Sequence, residues 1–218
     1  MPQAQIFTSK TATEADNNQV AAGWHENPVS EEQQYRAAAY GMLAALLRSA
    51  PDAALIEQVS GFSAVGDGGD EMTVSMSLLG LAAESCPQSD IAAEFHDLFI
   101  GLGRGELLPY GSFYLTGFLM EKPLGDLRDD LDRLGFEREK DVHEPEDHIA
   151  ALCEVMVMLV QQGGSIDDQQ GFYSKHIGSW EQKFFADLAV AENAVFYRSV
   201  ARFAAAFMNL EKRYLLAG

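Results

Sequence analysis

Apolar residues recur along most of this chain at three- and four-residue steps, in blocks that glycine and proline separate. The first block opens at Ser30, with Gln33 three residues on as a capping box requires. It runs through Tyr35, Ala38, Ala39, Met42, Leu43, Leu46 and Leu47 as a buried stripe and stops at Pro51. A short helix follows near 52–59, then a glycine-rich loop over 61–70. Asp70 stands where it can cap a helix over about 71–85, in which Met72, Met76 and Leu79 share a face. Pro87 breaks that helix, and Ser89 caps another whose face carries Ile91, Phe95, Leu98 and Phe99.

A glycine-rich loop with Pro109 then spans 101–111, and Ser112 restarts a short apolar helix over 113–120. Pro123 opens an acidic amphipathic helix that ends at Gly135. A charged linker over 136–144 leads into the stretch from His143 to Met158, where a charged elbow runs straight into an apolar helix. Pro145 fits the first turn of that helix, so Glu146 and Asp147 sit at the positive end of its dipole. Ile149, Leu152, Val155, Met156 and Leu159 form its buried face, and Gly163-Gly164 ends it. Ser165 caps the next helix, and two more follow. In the last, Phe196, Val200, Phe203, Phe207, Leu210 and Tyr214 step by three and four.

Alternating strand patterns, hairpin turns and internal repeats are not apparent. The pattern therefore predicts an all-α protein, a single-domain helical bundle of about nine to ten helices. Residues 1–28 lack periodicity and read as a flexible polar tail, with Trp24 docking at its end; residues 29–218 form the helical domain, with a hinge near 136–145.

Composition adds three constraints. The formal net charge of −18 disfavours nucleic acid and anionic membrane surfaces and favours a basic partner. Without an apolar run of spanning length or a secretory leader pattern, the expected compartment is the cytoplasm, with no membrane insertion. Cys86 and Cys153 lie in separate apolar segments, as buried reduced thiols do.

Several stretches invite chemistry. His143, Glu146 and His148 could form the centre of a metal-dependent enzyme, but the histidines are five apart with Pro145 between them, unlike the zincin spacing. Asp147 and His148 could be an acid–base pair, but no nucleophile signature accompanies them. Gly101-Leu102-Gly103-Arg104-Gly105 fails the dinucleotide fingerprint, and no phosphate loop exists. No catalytic residue, metal ligand or cofactor is expected. Tyr110 and Tyr114 flank a proline–glycine turn, where a phenol keeps its hydroxyl wet and its ring buried.

Three segments together resemble one family: Glu94-Phe95-His96-Asp97-Leu98-Phe99-Ile100-Gly101, Pro109-Tyr110-Gly111-Ser112-Phe113-Tyr114, and Glu144-Pro145-Glu146-Asp147-His148-Ile149. His176-Ile177-Gly178-Ser179-Trp180 and Phe196-Tyr197 extend the match. Their order and spacing are similar to the TorD/DmsD/NarJ redox-enzyme maturation chaperones, nearest the TorD-like branch, over about residues 30–215. The resemblance implies a non-enzymatic cytoplasmic chaperone. Such a protein binds the twin-arginine signal peptide of a molybdenum-cofactor oxidoreductase and holds the apoprotein back from export until cofactor is inserted. It implies peptide-binding residues at Asp147, His148, Glu146, Glu144, Phe99, Pro109, Tyr110, Ser112 and Tyr114. It also implies a monomer or a domain-swapped dimer, and weak GTP binding is associated with the family. The chain departs at Gly101-Leu102-Gly103, where relatives commonly carry Gly-Pro-Gly. A scaffold subunit that stays bound to its oxidoreductase is a further reading.

Overall fold

A computed structural model of the chain describes residues 6–9, 30–66, 68–102 and 104–217. Trp24 and most of the expected tail lie outside them. Among the described residues there are ten α-helices: α1 (Glu31–Arg48), α2 (Ala53–Ser60), α3 (Glu71–Ser85), α4 (Gln88–Phe95), α5 (Gly111–Thr116), α6 (Lys122–Arg133), α7 (Ile149–Gln161), α8 (Ile166–Phe172), α9 (Glu181–Val190) and α10 (Phe196–Ala217). The all-α expectation is met.

Two short strands accompany the helices. β1 (Phe7–Ser9) pairs antiparallel with β2 (Phe136–Arg138), with Phe7 opposite Arg138 and Ser9 opposite Phe136. This small sheet is a departure from the sequence reading, which put 6–9 in the tail and 136–138 in a charged linker. Ile6, Phe7 and Phe136 are buried, and the Ile6 N–H donates to a Glu154 carboxylate oxygen at 2.9 Å. Three-residue strands are too short for alternation to register, and burial of their apolar residues supplies what propensity does not.

The chain divides into two compact units. One comprises residues 1–44, 110–179 and 215–218; the other comprises 45–109 and 180–214. In the first, α7 is central: Ile149 through Cys153, Val155, Met156, Leu159 and Val160 are all buried, so nearly its whole circumference is apolar and enclosed. α6 lays Leu124, Leu127 and Leu131 inward at helical spacing and turns Asp129 and Asp132 out. Gly135 follows it in the left-handed region, at φ 78°, as the expected cap.

In the second unit α3 packs against the 3-10 turn Gly61–Val65 so closely that a Cβ on Gly80 would stand 2.1 Å from the Ser63 nitrogen. Glu94 closes the start of α10, its carboxylate accepting from the N–H groups of Val195, Phe196 and Tyr197 at 2.8, 3.0 and 2.7 Å. Glu106 does the same for Glu192 and Asn193.

Local differences have local causes. Asp70 and Ser165 cap α3 and α8 as expected. Ser89 does not cap α4: the helix starts at Gln88 behind Pro87, and the Ser89 hydroxyl bonds Asp90 instead. Gly117, in the left-handed region, ends α5 at Thr116 rather than at Met120. Tyr35, Ala38 and Leu210, expected in buried stripes, are exposed. The Tyr35 hydroxyl instead bonds Glu31 one turn away.

Candidate functional site

The elbow differs from its sequence reading in one decisive respect. α7 begins at Ile149, not at Pro145. Residues 145–148 form a turn closed by the His148 N–H donating to the Pro145 carbonyl at 3.2 Å. His148 itself is the N-cap: its Nδ1 accepts from the Ala150 N–H at 3.1 Å, so that nitrogen acts as an acceptor. Glu146 and Asp147 therefore precede the helix, and their carboxylates are free to serve other elements.

Asp147 serves α5. Tyr110 and His148 form an antiparallel bridge, and the Gly111 N–H donates to the Asp147 carbonyl at 2.9 Å. The N–H of buried Ser112 then donates to Asp147 Oδ2 at 2.7 Å. Asp147 thus does for α5, from 35 residues away, what an N-cap side chain does locally. The Tyr110 residue at that cap position lacks a side chain able to do it.

Asp147 is 3 % exposed, and its second oxygen, Oδ1, has no hydrogen-bond partner among the described residues. A buried carboxylate oxygen without a donor costs about 1–3 kcal/mol, a cost seldom left uncompensated in native proteins.

Glu146 is differently committed. It is buried, and Arg128 reaches its Oε2 through Nη2 at 2.8 Å and Nε at 3.1 Å. Arg138 approaches its Oε1 at 3.5 Å. Its charge is matched within the chain, so it holds the elbow against α6 and β2. Arg138 adds a bond to the Glu144 carbonyl at 3.2 Å.

Glu144 is exposed, and its carboxylate accepts from the Tyr110 hydroxyl. Burial, then the Glu144 bond and charge, then the charge of Asp147, push the Tyr110 phenol well above its ordinary pKa, so it remains a donor. The Tyr110 and His148 rings meet edge to face, 5.2 Å between centroids. Neither Glu144 nor Asp147 forms an ion pair among the described residues; Arg128 acts on Asp147 only through space.

Of the expected residues, Glu144, Glu146, Asp147, His148, Tyr110 and Ser112 thus come together in one unit. Tyr114 lies one turn along α5, half-buried and edge-on to Phe113. Pro109 is buried at the chain position before Tyr110. Phe99 belongs to the other unit, where its ring stands 5.1 Å from Phe95 and 5.4 Å from Tyr197. Arg128 and Arg138 went unrecognised in the sequence. The hint for the first was an arginine set among the aspartates of an acidic helix.

A metal reading gains nothing from this arrangement. Among the described residues no group of three or more His, Cys, Asp or Glu side chains is disposed to hold an ion, and Glu146 is taken by two arginines.

A second polar cluster in the same unit is structural. Asp130 on α6 accepts from Lys175 Nζ at 2.6 Å and His176 Nε2 at 2.7 Å. Burial raises its pKa, but the bonds from Lys175 and His176 outweigh it and hold the carboxyl down at about 2. Burial pushes His176 below its ordinary value against the pull of Asp130. Cys153 is buried; Cys86 is half-buried, and burial raises its thiol pKa.

A family model described as nitrate reductase delta subunit matches residues 69–186, and the chain belongs to that family. It is 31 % identical over 139 residues to a chaperone protein TorD of Vibrio cholerae, across 59 % of this chain and 63 % of the relative. A chaperone protein TorD of Aliivibrio salmonicida is 29 % identical over 140 residues, across 59 % and 65 %. The match thus spans less than two thirds of these curated relatives, which are named chaperones and not enzymes. A crystal structure assigned to redox enzyme maturation, from Archaeoglobus fulgidus, shares the fold with a TM-score of 0.50 and 18 % identity over 86 % of this chain and 98 % of that one.

Proposed function

We propose that this chain is a maturation chaperone, without catalytic activity, that binds the twin-arginine signal peptide of a molybdenum-cofactor oxidoreductase in the cytoplasm. Bound there, it keeps the apoprotein from export until cofactor is inserted. The observation that carries the reading is Asp147: buried, anchored on one oxygen by Ser112 and without a donor on the other among the described residues. Glu144 supplies a second carboxylate free of an ion pair among those residues. Two such groups suit two guanidinium groups, whose planar donors match carboxylate geometry. Glu146 acts from behind, holding the turn through Arg128 and Arg138. Family membership and the chaperone relatives support the same reading. No described helix is long and apolar enough to cross a membrane.

Calorimetric titration of a twin-arginine leader tests this. Saturable binding is expected, weaker for a lysine-substituted leader and weaker again at high salt. Absence of binding to both peptides rejects the proposal. A second reading, a subunit that stays on its oxidoreductase, is favoured by the family description as a reductase subunit. Co-purification that persists after the enzyme has its cofactor distinguishes it from a chaperone.

A further inference from the structure

The end of α5 and the turn that leads to α6 expose Leu115, Phe118, Leu119 and Met120, which are 43, 69, 42 and 71 % accessible. Turns normally carry polar residues, and contiguous exposed apolar side chains mark an interaction surface. This turn is firmly tied. The Thr116 hydroxyl donates to the Ser112 carbonyl at 2.8 Å, and the Phe118 N–H donates to the Thr116 hydroxyl at 3.2 Å. Met120 is the one non-glycine residue with positive φ among the described residues, at 59°. Strained backbone of that kind persists where the surroundings hold it. Here the Met120 N–H donates to Ser112 Oγ at 3.2 Å, and the N–H of the same Ser112 donates to Asp147 Oδ2. Two hydrogen bonds through one buried serine therefore join the apolar turn to Asp147, whose Oδ1 has no donor among the described residues.

We infer that the 115–120 turn is the docking surface for the apolar stretch of the peptide whose basic residues meet Glu144 and Asp147. This rests on the proposed function and deepens it by naming the surface. Charge selects the occupant. Glu121 and Lys122 beside the turn are both exposed and offset each other, Glu144 is exposed, and the chain carries −18 overall. A segment that is apolar and basic gains at both places. A second copy of this chain brings like charge to the same surface.

The test uses the full chain and the double variant Phe118→Ser/Met120→Asn. Both side chains are exposed, and asparagine tolerates the left-handed backbone at 120, so the thermal midpoint should hold. A synthetic twin-arginine leader should bind the variant about tenfold more weakly, with a smaller negative heat-capacity change and an unaltered salt dependence. A leader whose apolar stretch is replaced by serines should bind both proteins alike. Undiminished binding of the native leader by the variant overturns this inference and leaves the functional reading standing. A native protein that binds no leader removes both. Light scattering that shows a native dimer and a monomeric variant assigns the turn to self-association and also overturns the inference.

Discussion

In the function proposed above, Asp147 carries two duties that a single substitution can separate. Its Oδ2 accepts the Ser112 N–H and so stabilises the entry to α5, while Oδ1 has no hydrogen-bond partner among the described residues. Asp147→Asn keeps a carbonyl oxygen for Ser112 but removes the charge. We expect its thermal midpoint to stay near the native value, while leader affinity falls about tenfold or more and loses part of its salt dependence, read by calorimetry at two ionic strengths. Asp147→Ala leaves a buried N–H without an acceptor and should cost about 2 kcal/mol in denaturant unfolding as well as binding. Equal binding loss in both variants, with stability lost in both, would make the residue purely structural. His148 likewise caps α7, so a double Asp147→Ala/His148→Ala variant confounds stability with recognition.

Among the elements, α7 and α3 show how helices position the site and the scaffold. α7 is enclosed on nearly every side, so the turn in front of it is held by the core rather than by solvent-facing contacts. α3 contributes a close backbone approach at Gly80, where an added Cβ meets Ser63 and Phe62 backbone atoms within 3 Å. Gly80→Ala should therefore destabilise by about 3 kcal/mol despite alanine's higher helix propensity, which alone would predict a gain near 1 kcal/mol. Chemical denaturation decides between these opposite signs. The two π-helical turns His96–Ile100 and Tyr173–Ile177 each end in a glycine whose N–H donates five residues back, at 2.7 Å in both. In the second, His176 is turned to Asp130.

For the molecule as a whole, acid should be the sensitive side. Asp130 is held at about 2 in the fold against 3.8 for an ordinary aspartate, so its contribution is complete above pH 4. That contribution, about 2 kcal/mol, is lost as pH falls from about 4 to about 2. His176, pushed down by burial, works in the same sense at higher pH: the unfolded chain takes up its proton first, so stability declines as pH drops below about 6.5. Urea midpoints measured from pH 7 to pH 2 should fall in those two stages. Asp130→Asn should lower stability at pH 7 and flatten the lower stage. An unchanged slope below pH 4 would place the acid sensitivity elsewhere among the carboxylates.

The helices were legible because their signals are local. Asp70, Ser165, Gly135 and the inward leucines of α6 each act within a turn or two of their own position, and periodicity reports which face is apolar. The elbow was legible only as a segment. Its register was misread because Pro145 suits a first helical turn and a preceding turn equally well, and the histidine three residues later supplied the stronger cap. What tertiary structure alone decided is which carboxylate is available. Glu144, Glu146 and Asp147 are near-identical in sequence terms. Arg128 and Arg138 neutralise one, while Ser112 anchors another by a single oxygen, and these partners come from other elements. Burial and pairing depend on what folds against a residue, so spacing along the chain predicts a charged turn but not which charge it offers.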